Sequence, residues 1–208
     1  MQRFTTLRAV AAPMLGENID TDVIIPIARM VGNSARGTLG RWCFGPLRYR
    51  PDGALNPDFI LNREPYSGAQ ILLTGVNFGC GSSREAAVWS LFEFGIRCVI
   101  GSSFGDIFFN NCFQNALLPV VLERTAVESI AAEVTASQGG APVVVDLVQL
   151  TVTSPAGTRH AFHVEARRRE ALLEGLDEIG MTLRRAADIA AFQVHDREQR
   201  PWIYPRRD

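Results

Sequence analysis

The segment Gly75-Val76-Asn77-Phe78-Gly79-Cys80-Gly81-Ser82-Ser83-Arg84-Glu85 gathers two adjacent hydroxyls, a guanidinium and a carboxylate behind three closely spaced glycines. The apolar run Ile71 to Leu73 before it reads as a strand, and Val88, Leu91 and Phe92 after it fall at helical spacing. Strand, tight loop and helix in that order deliver Ser82, Ser83 and Arg84 to a helix N-terminus, where free backbone N–H groups and the positive dipole end favour an anion. A carboxylate or phosphate suits such a place, and Arg84 adds a two-pronged donor for it. Ser82 and Glu85 also have the S-x-x-E spacing of a capping box, which predicts reciprocal bonds at the helix start.

Two kinds of chemistry fit a serine here. As a nucleophile it would need a base, but the G-x-S-x-G elbow is absent and no histidine lies nearby in sequence, so a hydrolase is disfavoured. As an alkoxide steadied by a helix terminus and an arginine, it could take a proton from carbon next to a carboxylate, which is lyase chemistry. From the residue types alone, anion binding is the stronger expectation and catalysis the weaker.

The rest of the chain limits the partners of such a site. With 208 residues, 47% hydrophobic content and a net charge of −1, the composition is that of one globular unit, with no electrostatic field for nucleic acid. No apolar run approaches bilayer length, and Met1 to Thr6 lacks the basic-then-apolar order of a secretory signal, so no membrane role is expected and the cytoplasm is the expected location. There is no lysine, which excludes a lysine Schiff base and a P-loop lysine and leaves anions to arginine forks and backbone amides. Cys43, Cys80, Cys98 and Cys112 are too widely spaced for a local metal or iron–sulfur site and are expected to be free thiols.

The elements around the loop are legible in outline. Phe4 to Leu15 reads as a strand, and Asp20-Thr21-Asp22 before Val23-Ile24-Ile25 places acids at the start of an apolar element, with Asp20 as a cap or Asx-turn residue. Arg29 to Pro65 shows no periodicity, which predicts a long functional loop with Trp42, Phe44 and Tyr49 packed beneath it. Strands at Arg97 to Gly101 and Leu117 to Leu122, with helices at Phe104 to Gln114 and Thr125 to Ser137, predict a parallel α/β layer. Asn110, Asn111 and Asn115 are assigned to closing that first helix. Val143 to Val164 adds a β layer in which His160 and His163 face opposite ways, and helices follow from Arg167. The segment Gln199 to Pro205 is expected to be extended and too apolar to hang free.

Four ordered motifs then carry a resemblance over nearly the whole chain: Asp20-Thr21-Asp22-Val23-Ile24-Ile25-Pro26, Asn77 to Glu85, Asp106-Ile107-Phe108-Phe109-Asn110-Asn111-Cys112, and Gly175-Leu176-Asp177-Glu178-Ile179-Gly180. Together they resemble the small subunits of 3-isopropylmalate dehydratase, in the aconitase superfamily. The resemblance implies an α/β fold of the swivelling β/β/α type across residues 1–208, with a long loop at about 29–65 and a C-terminal helical extension. It implies a large-subunit partner that carries a [4Fe-4S] cluster, no cofactor on this chain, and a small dicarboxylate substrate isomerised by dehydration and rehydration in leucine biosynthesis.

On the same resemblance, Ser82 matches the general base, and Ser83 and Arg84 bind a substrate carboxylate. Asp22 matches an acid that orients catalytic groups of the partner, Arg36 a second carboxylate ligand, and the Ile27 to Arg36 loop sets specificity. The family pattern continues Ser-Arg-Glu with histidine where this chain has Ala86, which removes a hydrogen-bonding group near the helix start. Alternatives are a paralogous subunit for a homoaconitate or citraconate-type acid and, from the helix-terminus anion site, a non-catalytic anion-binding regulatory subunit.

Overall fold

Strands covered on both faces must be apolar throughout, and Ile71–Thr74 and Cys98–Gly101 are buried at every position. The computed structural model describes residues 1–30, 36–82 and 84–204. In chain order these form β1 (Thr6–Ala9), β2 (Ala11–Met14), α1 (Thr21–Ile24), α2 (Gly45–Arg48), β3 (Ile71–Thr74), α3 (Glu85–Phe94), β4 (Cys98–Gly101), α4 (Asp106–Gln114), β5 (Leu118–Val121) and α5 (Arg124–Ala136). The short strands β6 (Val143–Asp146), β7 (Thr151–Thr153) and β8 (Arg159–Ala161) follow, then α6 (Ala166–Glu174), α7 (Glu178–Leu183) and α8 (Ala186–Gln199).

Strands β2-β3-β4-β5 lie side by side and all parallel, while β1-β6-β7-β8 form a second, antiparallel sheet. The parallel layer and the added β layer thus match the sequence expectation. Alternation along the parallel strands divides the core. Ile71, Leu73, Cys98 and Ile100 join Val127, Ile130 and Val134 of α5 and Val145 of β6 in one cluster. Leu72 and Val99 face the other way, against Ala87, Val88 and Leu91 of α3, Phe108 and Cys112 of α4, and Ile24 and Phe44. Helix α3 stops at Gly95, whose φ of 117° lets its amide reach the carbonyls of Leu91 and Phe92.

Three expectations change. The single strand over Phe4 to Leu15 is two strands in different sheets. Residues Thr6–Ala9 alternate between exposed and half-buried and pair with β6, whereas Ala11–Met14 are mostly buried and pair with β3. Pro13 is accommodated because β2 is an edge strand.

The region 36–65 is not a featureless loop. It contains α2 and 3-10 turns at Gly40–Trp42 and Ile60–Asn62, with Leu39, Cys43, Phe44 and Leu61 buried. The Asn62 amide donates to the carbonyls of Arg48 and Asn56, both at 2.8 Å, and the Glu93 carboxylate accepts the amides of Gly37 (2.5 Å), Leu39 (2.5 Å) and Gly40 (3.0 Å). Periodicity misses this frame because it is stitched by side chain to backbone bonds rather than by a repeating apolar face. Residues 31–35 lie outside the described residues.

The expected extended tail contains a 3-10 turn at Pro201–Ile203, tied to α8 by the Tyr204 hydroxyl donating to Asp196 at 2.8 Å and by an Arg200 pair with the same carboxylate. Tyr204 thus packs on this chain, whereas Trp202 does not and is 78% exposed. Among the described residues no helix is long and apolar enough to cross a membrane.

Two outcomes test this arrangement. Gly79 has φ of 74°, and a Cβ there would stand 2.3 Å from the Phe108 ring, so Gly79→Ala should lower unfolding free energy in urea by about 3 kcal/mol. In hydrogen exchange, the amides of Leu39 and Gly40 should be slow in the native chain and fast in Glu93→Ala, which removes their shared acceptor.

Candidate active site

The glycine loop is placed mainly by main-chain bonds. It runs past the carboxyl ends of the parallel strands, where open α/β sheets present their ligand crevices. On one side the Gly79 amide donates to the Ile19 carbonyl (2.7 Å) and the Thr21 amide to the Cys80 carbonyl (3.0 Å). On the other, the amides of Phe78 and Gly105 bond the carbonyls of Ser103 (3.2 Å) and Phe78 (2.9 Å), and the Asn77 amide bonds the Ser103 hydroxyl (2.8 Å). The loop is thereby a short continuation of the sheet, with isolated bridges pairing Asp20 with Cys80 and Phe78 with Phe104.

This stitch carries α1 to the loop. Asp20 caps α1, its carboxylate accepting the Val23 amide at 2.8 Å, as its position before an apolar run predicts. Asp22 then sits in the first turn with its carboxylate paired to the Arg84 guanidinium, the Arg84 side chain being 20% exposed and that of Asp22 54%. At that exposure the pair adds little stability, but it fixes the direction of the guanidinium. No local pattern signals that these two residues bond each other, because they are 62 positions apart.

The structure brings Asp22 and Arg84 together, and leaves Ser82 exposed on the loop, next to Gly81 in sequence. Ser83 lies outside the described residues. Arg36 approaches the next turn of α3, its guanidinium 4.9 Å from the centroid of the Trp89 ring and its Nη2 donating to Asn115 Oδ1 at 2.9 Å. Ala86 is half-buried against the apolar cluster that contains Phe78 and Phe108.

The capping box does not form. Helix α3 begins at Glu85, Arg84 occupies the cap position without a side-chain bond, and the Glu85 carboxylate turns instead to accept the Asn115 amide at 2.9 Å. The S-x-x-E spacing assumes a helix that starts just after the serine, whereas the loop continues through Arg84 before the chain turns helical. Ser82 is therefore released from capping. Asn115, assigned from sequence to helix closure, is a contact of two site residues as well, a role invisible in sequence because its partners lie 30 and 79 positions away.

The remaining polar groups set what this surface can hold. Among the described residues, no group of three or more His, Cys, Asp or Glu side chains could hold a metal ion. Burial pushes the Cys43 thiol up to about 12, opposed in part by a hydrogen bond with the Ser90 side chain, and raises Cys98 and Cys112 as well. These three are core residues, whereas Cys80 is half-buried on the loop. A raised thiol pKa means less thiolate at any given pH, so iodoacetamide at pH 8 should modify Cys80 alone in the native chain and all four cysteines in urea, counted by mass.

Known proteins resemble this chain along nearly its whole length. A family model described as the aconitase C-terminal domain matches residues 1–125, and one described as the C-terminal domain of the 3-isopropylmalate dehydratase small subunit matches residues 178–206. A 3-isopropylmalate dehydratase small subunit of Cupriavidus necator is 51% identical over 98% of this chain and 99% of its own, and one of Jannaschia is 48% identical over 98% and 100%. The crystal structure of a 3-isopropylmalate dehydratase chain from Methanocaldococcus jannaschii has the same fold, with a TM-score of 0.65 and 23% identity over 89% of this chain and 99% of that one. With about half of its residues shared end to end, this chain belongs to the family of 3-isopropylmalate dehydratase small subunits within the aconitase superfamily.

Proposed function

We propose that the chain is the small subunit of a hydro-lyase that interconverts 2-isopropylmalate and 3-isopropylmalate by dehydration and rehydration, a step of leucine biosynthesis. The observation that carries this reading is the end-to-end similarity to such subunits in a chain that pairs Asp22 with Arg84, two residues after the exposed Ser82 of the loop that follows β3.

In the proposed reaction Ser82 takes the proton from carbon next to a substrate carboxylate and returns one at the neighbouring carbon on rehydration. Proton loss places negative charge on that carboxylate, and Arg84, aimed by Asp22, is the nearby fork that can receive it, with Ser83 as a second donor. Arg36 holds the second carboxylate, and the Ile27 to Arg36 segment meets the substrate side chain. A [4Fe-4S] cluster on the large partner chain would supply a Lewis acid for the departing hydroxide. Three of the four thiols here are buried in the core, so a cluster on the partner suits this chain better than one on its own cysteines.

The partner also suits the surface. Ser82 is exposed and Asp22 more than half exposed, so these groups form one wall of a site that a second chain must close. The C-terminal extension leaves Ile179, Phe192 and Trp202 at 70%, 61% and 78% exposure, large apolar side chains that a partner chain would cover.

Reconstituted with its large subunit and an intact cluster, the chain should hydrate 2-isopropylmaleate in preference to homoaconitate and citraconate-type acids. Ser82→Ala should lower turnover by about 10²- to 10⁴-fold while the two chains still co-elute. Full turnover by Ser82→Ala would remove the serine from the role of base, and no hydration by the unsubstituted pair would overturn the reading itself.

A further inference from the structure

Asn115 ends α4 with a side chain 7% exposed, and its amide is bonded on both of its ends. Its Oδ1 accepts from the Arg36 guanidinium and from the Trp89 indole N–H, each at 2.9 Å. Its Nδ2 donates to the Glu85 carboxylate and to the Asn111 carbonyl, also at 2.9 Å each. The orientation of the amide is unambiguous, because the reverse would face its NH2 toward two donors and its oxygen toward two acceptors. One buried side chain thus joins α4, the first and second turns of α3, and the arginine at the end of the specificity segment.

This arrangement does more than close a helix. Helix closure needs only the local bond to Asn111; the bonds to Arg36, Trp89 and Glu85 reach outward to α3 and to the specificity segment. The Arg36 side chain belongs to an exposed residue and has several rotatable bonds, so a free guanidinium there would sample many directions. Stacked on Trp89 and bonded at Nη2, it has one direction, and four of its five N–H donors are not used by the Asn115 bond. A donor fixed before the ligand arrives loses less freedom on binding.

Resting on the assignment of Arg36 as a carboxylate ligand, we propose that Asn115 is a positioning residue of the dicarboxylate site. It holds the Arg36 guanidinium against Trp89 in the orientation that meets a substrate carboxylate, and it fixes that guanidinium relative to Glu85, the first residue of the helix that follows Ser82 and Arg84. Its effect falls on substrate binding rather than on proton transfer, because Arg36 contacts a carboxylate and not the carbon that loses its proton.

The test is a cycle of variants in the reconstituted pair, with kcat and KM measured for hydration of 2-isopropylmaleate. Arg36→Ala should raise KM about 10- to 100-fold, the range of a lost charge-assisted hydrogen bond. Asn115→Ala should raise KM about 3- to 10-fold with kcat within about twofold, and should add almost nothing in an Arg36→Ala background. The pair Asn115→Asp with Glu85→Gln keeps an acceptor facing Arg36 and Trp89 and reverses donor and acceptor toward position 85, losing the bond to the Asn111 carbonyl, and should bring KM below that of Asn115→Ala.

KM increases that multiply in the double variant, or a fall in kcat at constant KM, would overturn the inference by showing Asn115 to act without Arg36. If Arg36→Ala leaves KM unchanged, the premise is wrong and the inference falls with it, while hydration by the unsubstituted pair still stands as the separate check of the functional reading. Where Asn115→Ala fails to assemble with its partner, Asn115→Ser takes its place in the same cycle with the same outcomes.

Discussion

The main-chain bonds that stitch the glycine loop between residues 18–21 and 103–105 are the constraint from which the site follows. A loop beyond the end of a buried parallel sheet has polar backbone groups that cannot be left unpaired, and here neighbouring segments satisfy them as extra rungs of the ladder. Two loop side chains add to this, Phe78 packing in the core against Phe108 and the Asn77 side-chain amide donating to Asn18. Ser82 and Arg84 emerge from a backbone already satisfied, and α1 arrives beside them because Thr21 shares a rung with Cys80.

Much of this was visible in sequence where one residue type has one physical use. The run Ile71 to Leu73, the glycines and the helical spacing of Val88, Leu91 and Phe92 located β3, the loop and α3, and Asp20 before an apolar run located a cap. Local rules failed where a bond spans sequence. The capping-box spacing named the wrong partner for Glu85, since an amide 30 positions away outcompetes a loop serine that is too far from the helix start. Glu93 could not be singled out from other helix-surface acids until the backbone of residues 37–40 was seen to fold over it. The break at Val10 was hidden because alternating β1 and apolar β2 both read as strand with no turn residue between them.

The exposed position of the site has an electrostatic meaning. A guanidinium and a carboxylate in contact with water interact weakly with anything else, since the solvent screens them. When a partner covers the same groups, water leaves and each oriented dipole counts for more, without any of them having to move. A chain of this kind gains little by perfecting its half of the site alone. What it must provide is direction, and the Asp22 to Arg84 pair and the Asn115 junction are both ways of fixing direction at an open surface.

Helix α3 holds the chain at two places after the segment proposed to meet substrate: its first turns reach Arg36 through Trp89 and Asn115, and Glu93 near its end grips residues 37–40. The segment is thus borrowed from a scaffold that lies 53 to 79 positions further along the chain. Transplanting residues 27–40 from a relative of different selectivity would move the fingers without the wrist. A graft intended to exchange substrate preference has to carry residues 89, 93 and 115 with it, so that the unit of inheritance for selectivity is a three-dimensional patch and not a stretch of sequence.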